Sequence, residues 1–228
     1  MILAPAILLA YLLGSVPSSV ILGRSVKGID VREHGSGNAG ASNAFRVLGR
    51  PLGVAVLLMD AGKGAAAVAL IPALLRLSGG AQSVFGDTET RLLLGGAAII
   101  GHVYSVFLNF RGGKGVGTAA GVLVVLYPLS LGIAVAIFVV VLLVTGITSL
   151  ASLVASLSFP GVAALLGHLG IVETSPALFV FSVLAVLFLL FTHRENIKRL
   201  VAGRENRFEG ARILGRLFDR FKGPGGHG

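Results

Sequence analysis

The chain has 228 residues, 54% of them hydrophobic and 13% charged, with a mean hydropathy of +0.90 and a net charge of +9. Soluble domains carry roughly 25% charged residues, so the deficit, spread over recurring apolar runs, excludes a soluble core and implies an integral membrane protein. Cysteine is absent, which excludes disulfides and thiolate chemistry. The positive charge clusters beside apolar runs, where bilayer orientation explains it, and no nucleic-acid partner is expected.

The first apolar run covers 2–22 and begins "MILAPAILLAYLLGSVP". It has neither a basic leading region nor a small-residue cleavage site, so it reads as a retained span rather than a cleaved signal. Beyond it lies "GSGNAGASNAFR" (35–46). Gly35, Gly37 and Gly40 permit positive φ and close backbone approach, so successive N–H groups can face one anion. Ser36, Asn38, Ser42 and Asn43 add side-chain donors, and Arg46 can fork onto a phosphate.

The second run, 52–75, contains Asp60 and Lys63 three residues apart. Charges inside a span are rare and usually pair, so a mutual ion pair supporting a site wall is expected. The third run, 92–108, carries His102, for which an interhelical hydrogen bond is expected. "FRGGKGVGT" (110–118) follows, with Gly112, Gly113, Lys114, Gly115 and Thr118 arranged like a phosphate cradle before a helix N-terminus. It is no P-loop, because the G-x-x-x-x-G-K-[ST] spacing and a preceding strand are both missing.

The run 116–145 is too long for one ordinary crossing and holds Tyr127-Pro128 at its middle. The last two runs cover 147–168 and 175–192; "TSLAS" (148–152), with Ser149 and Ser152, opens one and "THRENIKRL" (192–200) closes the other. In a continuous helix His193, Asn196 and Arg199 or Leu200 would share a face. His193 could be a general base, a phosphate ligand or a plain hydrogen-bonding group. In "ARILGRLFDRFK" (211–222) Ile213, Leu214, Leu217, Phe218 and Phe221 repeat at helical spacing, with Arg212, Arg216, Arg220 and Lys222 on the basic side. That pattern predicts an amphipathic helix on an anionic leaflet; the final "GPGGHG" is expected to be disordered.

Positive charge sets the topology. Arg24, Lys27, Arg32, Arg46 and Arg50 follow the first run, and nine Lys/Arg lie between Arg194 and Lys222. Placing both groups in the cytoplasm requires an odd number of crossings. The fold class is therefore all-α, an integral membrane protein with seven transmembrane helices, some short or broken, the N-terminus outside and the C-terminus cytoplasmic. The long fourth run is split near Tyr127-Pro128 into two spans of about 15 residues, sheltered by neighbouring helices. A single membrane domain over 1–228 is expected, with 203–228 a basic cytoplasmic tail. This topology brings the four polar stretches to one face, where they are expected to converge into one anion-holding pocket. Metal ligands are not expected, since no H-E-x-x-H or D-x-D pattern occurs. No cofactor is expected either.

"GSGNAGASNAFR", "GGKGVGT", "TSLAS" and "HRENIKRL", in this order between apolar spans, resemble the bacterial acyl-phosphate:glycerol-3-phosphate acyltransferases, the PlsY family. The resemblance runs from "GSVPSSVILGR" (14–24) to "RENIKRL" (194–200). It implies a seven-helix inner-membrane enzyme that moves a fatty acyl group from acyl phosphate to the 1-hydroxyl of glycerol 3-phosphate, giving lysophosphatidic acid and phosphate. It implies that Ser36, Arg46, Lys114, His193 and Asn196 bind the glycerol 3-phosphate and the reacting centre. Ser152, with Ser149 second, would join them; Gly112, Gly113, Gly115, Asn43 and Thr118 would surround the acyl-phosphate head. Two departures stand out. Ser42 replaces the family's frequent threonine, and "TGITSLAS" lacks the usual basic-aromatic lead-in.

Acyl phosphate is a mixed anhydride that already carries a good leaving group, so no acyl-enzyme is required. Its phosphate, with a second pKa of about 6, can take the hydroxyl proton; His193 is the rival base. The glycine-rich N–H groups are candidates for the oxyanion. The small residues of "AGKGAAAVA" (61–69) allow either close helix contact or a groove for the acyl tail. Membrane lipid is the expected surroundings and a monomer the expected state. The alternative is a small transporter of an organic or phosphate anion, which predicts internal repeats and broken helices meeting at the midplane. A structural membrane protein would leave the donor-rich loops unexplained.

Overall fold

The computed structural model describes residues 3–77 and 86–221, and these are helical with no strand among them. The expected disordered end "GPGGHG" lies outside the described residues. The helices are α1 (Leu3–Ser15), α2 (Ser18–Lys27), α3 (Ala41–Val47), α4 (Arg50–Leu77), α5 (Asp87–Val103), α6 (Val116–Leu126), α7 (Pro128–Thr145), α8 (Thr148–His168), α9 (Pro176–Thr192), α10 (Arg194–Val201) and α11 (Ile213–Phe221). Five stretches are long and apolar enough to cross a bilayer: Leu3–Lys27, Arg50–Leu74, Asp87–Leu108, Pro128–Thr145 and Thr148–His168. The pair α9 and α10, bent by 64°, makes a sixth if taken as one span, and α6 is a shorter apolar helix. The protein is a multi-pass membrane protein.

Proline explains two of the breaks. The chain divides at Tyr127-Pro128 as expected, but unevenly, into the 11 residues of α6 and the 18 of α7. Hydropathy joins 2–22 into one span, whereas the helix stops at Ser15 and restarts after Pro17. Proline has no N–H, so carbonyls before it lose their helical partner. Side chains supply replacements. Ser105 Oγ donates to Ser15 O at 2.6 Å, and Lys63 Nζ donates to Val16 O at 2.9 Å.

The described chain falls into two compact units, 1–128 with 175–181, and 129–174 with 182–228. In the first, α1, α4 and α5 share a core of small and aliphatic residues: Ala6, Ala10, Ala67, Ile71, Leu94, Ala97 and Ala98. Burial against another helix rather than against lipid rewards close approach, so small residues mark the contacts. The α1–α5 crossing places Gly14 on the Ala98 backbone and Gly101 on Tyr11 O. The α4–α6 crossing places Gly64 on Thr118 O and Gly121 on Ala61 O. Of the two uses open to "AGKGAAAVA", close helix contact is the one these residues make at Ala61 and Gly64. In the second unit, α8 carries a buried face of Ser149, Ala151, Ser152, Ala155, Phe159 and Ala163.

Candidate functional site

The first unit presents two polar loops. In 35–46 the chain turns through Gly35 and Gly37 at φ +63° and +71°, the left-handed region that favours glycine. Gly40, grouped with them on sequence, is instead extended at φ −110° and precedes α3. Asn43 is buried and its amide is committed to the loop itself. Its Oδ1 accepts from Ser36 N at 2.8 Å, and its Nδ2 donates to Val31 O at 2.8 Å and His34 O at 3.0 Å. Asn43 thus shapes the loop that carries exposed Ser36, half-buried Asn38 and half-buried Arg46. Beneath the loop, Asp30 accepts from Arg32 at 2.7 Å and Arg24 at 2.9 Å. The Arg32 guanidinium, with help from Arg24, holds the Asp30 carboxyl well below the usual carboxylate range, against the opposing effect of burial.

The second loop, 111–115, lies along the end of α5. Gly112 N donates to Val103 O at 2.9 Å and Gly113 N to His102 O at 3.0 Å. These two amides, expected to face an anion, are therefore spent on the α5 terminus. The free α5 carbonyls need donors, and the loop satisfies them. A Cβ on Gly113 would run into the His102 imidazole, so the approach requires glycine there. Half-buried Lys114 projects from this fixed turn, and Gly115, at φ +87°, leads into α6. Thr118 is fully buried in the first turn of α6, and among the described residues its Oγ1 has no hydrogen-bond partner.

Behind that loop sits a closed charge cluster. Asp60 Oδ1 accepts from Ser18 Oγ at 2.8 Å and pairs with Lys63 Nζ at 2.9 Å. The expected ion pair is present. His102 Nδ1 faces the same oxygen at 3.5 Å but makes no hydrogen bond among the described residues, so the interhelical hydrogen bond expected of His102 is not formed at that nitrogen. All four side chains are buried.

The second unit carries Ser149, Ser152, His193 and Asn196, each buried. The chain bends by 64° at His193, so the continuous face through His193, Asn196 and Arg199 does not form. His193 Nδ1 instead lies 2.9 Å from Leu189 O. A carbonyl only accepts, so Nδ1 carries a proton in this contact. Asn196 and Arg199, one turn apart on α10, both reach Glu205. Asn196 Nδ2 donates to Glu205 Oε1 at 2.7 Å, Arg199 Nε donates to Oε2 at 2.7 Å, and Ser149 Oγ donates to Oε1 at 3.1 Å. Ser152 Oγ, the first choice on sequence, donates to Thr148 O of its own helix at 2.9 Å. Ser149, the second choice, is the serine tied to Asn196.

Glu205 was not legible as a site residue. A single acid in a basic tail resembles charge background, yet its side chain is only 6% exposed. The available signal was Ala202-Gly203, where the chain leaves α10 at a positive-φ glycine and turns back. Among the described residues no group of three or more His, Cys, Asp or Glu is placed to hold a metal.

The glycerol-3-phosphate acyltransferase family model matches residues 4–203. A glycerol-3-phosphate acyltransferase of Chlorobaculum parvum is 40% identical, over 88% of this chain and 94% of its own. That of Salinibacter ruber is 41% identical, over 92% and 96%. The crystal structure of PlsY, an integral membrane glycerol 3-phosphate acyltransferase, in its glycerol 3-phosphate form superposes with a TM-score of 0.76 at 33% identity, covering 94% of this chain and 99% of that one. Its lysophosphatidic acid form gives a TM-score of 0.75 at 33% identity, over 96% and 100%. The chain belongs to the glycerol-3-phosphate acyltransferase family and is an acyltransferase of the membrane.

Proposed function

We propose that the acyl donor is an acyl phosphate, that the acceptor is the 1-hydroxyl of glycerol 3-phosphate, and that the products are lysophosphatidic acid and phosphate. The observation that carries this choice of donor is the tether of His193. Its Nδ1 is held by the Leu189 carbonyl rather than by a carboxylate. A histidine whose Nδ1 is fixed by a backbone carbonyl has its Nε2 edge oriented toward a ligand, and that edge is assigned here to hydrogen bonding with substrate. The donor then supplies the base. As the hydroxyl oxygen bonds to the acyl carbon, the acyl–oxygen bond to phosphate breaks and the departing phosphate keeps the hydroxyl proton.

Arg46 and Lys114 hold the two anions, Ser36 and Asn38 add donors, and Asn43 with Gly112, Gly113 and Gly115 fixes the loops that carry them. Thr118 anchors the start of α6 beside the second loop. His193, Asn196 and Ser149, with Ser152 behind them, serve glycerol 3-phosphate. The chain crosses a bacterial inner membrane seven times as a monomer, with its N-terminus outside and its C-terminus and reacting face in the cytoplasm, as the loop charges support. A C-terminal reporter reading extracytoplasmic would contradict that topology.

His193→Gln tests the role of the ring. The expected result is a glycerol 3-phosphate KM raised about ten-fold or more with kcat largely kept, the pattern of lost ground-state binding. An unchanged KM with kcat abolished would make His193 the base and remove the reason for a donor that carries its own.

A further inference from the structure

The matched family region ends at residue 203, and the described chain continues to 221. From 203 onward the sequence has six Lys/Arg against three Asp/Glu. This continuation is anchored at one level. Phe208 N donates to Gly146 O at 2.7 Å, and Gly215 of α11 packs so closely on the Val144 carbonyl that any Cβ would collide with it. Val144 lies in the last turn of α7, an 18-residue apolar helix. At 1.5 Å per residue it is about 27 Å long, close to the thickness of a hydrocarbon core. Its final turn is therefore where the chain leaves the hydrocarbon, and α11 is docked at headgroup depth.

Ile213 is 53% and Leu217 44% exposed, one turn apart on one face. Arg216, beside them, is exposed, with its Nε donating to Arg212 O at 3.0 Å. Apolar side chains flanked by arginines at headgroup depth match the acyl boundary below and lipid phosphates above.

We propose that α11 is an interfacial lipid-binding helix that inserts Ile213 and Leu217 among acyl chains and uses Arg216 to select anionic headgroups. The occupant of this face is the bilayer carrying the protein. A soluble acidic protein would meet the arginines but leave Ile213 and Leu217 at a depth where lipid already lies.

The native chain has no cysteine, so Leu217→Cys gives a single labelling position. The full-length protein, labelled there with an environment-sensitive dye, is reconstituted into vesicles of phosphatidylcholine alone and of phosphatidylcholine mixed with anionic phosphatidylglycerol. The expected result is strong quenching by nitroxides near the top of the acyl chains, protection from aqueous iodide, and both effects enhanced by phosphatidylglycerol. Adding Arg216→Gln should weaken the phosphatidylglycerol enhancement about five-fold, the factor that one arginine near an anionic surface supplies. Iodide access equal to that of the free dye in both vesicles would overturn the proposal and leave the face to a soluble partner. Quenching that ignores lipid charge would overturn it too.

Discussion

Replacing Asp60 by alanine is the sharpest test of how the first unit is held together. Asp60 is 2% exposed and Lys63 7%, and one carboxylate oxygen serves Ser18, Lys63 and the facing His102. Without the carboxylate, the Lys63 ammonium, 7% exposed, keeps the Val16 carbonyl but loses its counter-charge. Breaking a buried pair by removing one partner costs about 3–5 kcal/mol. For a chain of this size that corresponds to a fall in Tm of roughly 6–20 °C. Deleting both charges, as Asp60→Leu with Lys63→Met, removes the stranded ion as well as its partner, and should recover most of the loss because the pair's own net worth is small. Thermal unfolding of the two variants in one detergent, followed by static light scattering or intrinsic fluorescence, reads the difference. A fall below about 2 °C for Asp60→Ala, or a double variant less stable than the single one, would refute a closed, buried ion pair.

Gly113→Ala should cost about 100-fold in kcat/KM, because the added methyl meets the His102 ring and shifts the turn bearing Lys114; steady-state kinetics on folded protein checks it. Glu205→Ala leaves Asn196 and Ser149 without their shared acceptor and should lower stability by about 1–3 kcal/mol together with activity, read by unfolding and turnover in parallel. The folded Asp30 carboxyl titrates below its unfolded value of about 3.9, so its contribution is complete at neutral pH and drains away only as pH falls below about 4. The stability gap between the native chain and Asp30→Asn should therefore be constant from pH 5 to 8 and close only in stronger acid. Such a gap closing near pH 6 would assign it to a histidine.

The sequence made most of the membrane architecture readable because hydropathy acts locally. The break at Tyr127-Pro128, the Asp60–Lys63 pair and the helix in the tail each follow from a few neighbouring residues. The break at Val16-Pro17 was hidden because apolar residues continue across it, and its two carbonyls find donors 47 and 90 residues away in Lys63 and Ser105. The bend at His193 was hidden because helical spacing alone assumes a straight axis. In the polar loops, composition marks polar segments but not what each group bonds to. Asn43 and the Gly112 and Gly113 amides have the chemistry of anion binding, yet their hydrogen bonds go to the protein's own backbone. The choice between Ser149 and Ser152 turns on Glu205, 56 residues from Ser149. Such pairings are set by the fold and leave no mark in local sequence.

Free phosphate is the most direct witness of the proposed chemistry. Purified protein is to be given acyl phosphate alone, glycerol 3-phosphate alone, and the two together, with released phosphate and new lysophosphatidic acid both counted. Release only when both substrates are present, one phosphate for each lysophosphatidic acid, is the expected result. Release without the acceptor, or acylation that proceeds from a thioester donor with no phosphate appearing, would contradict it.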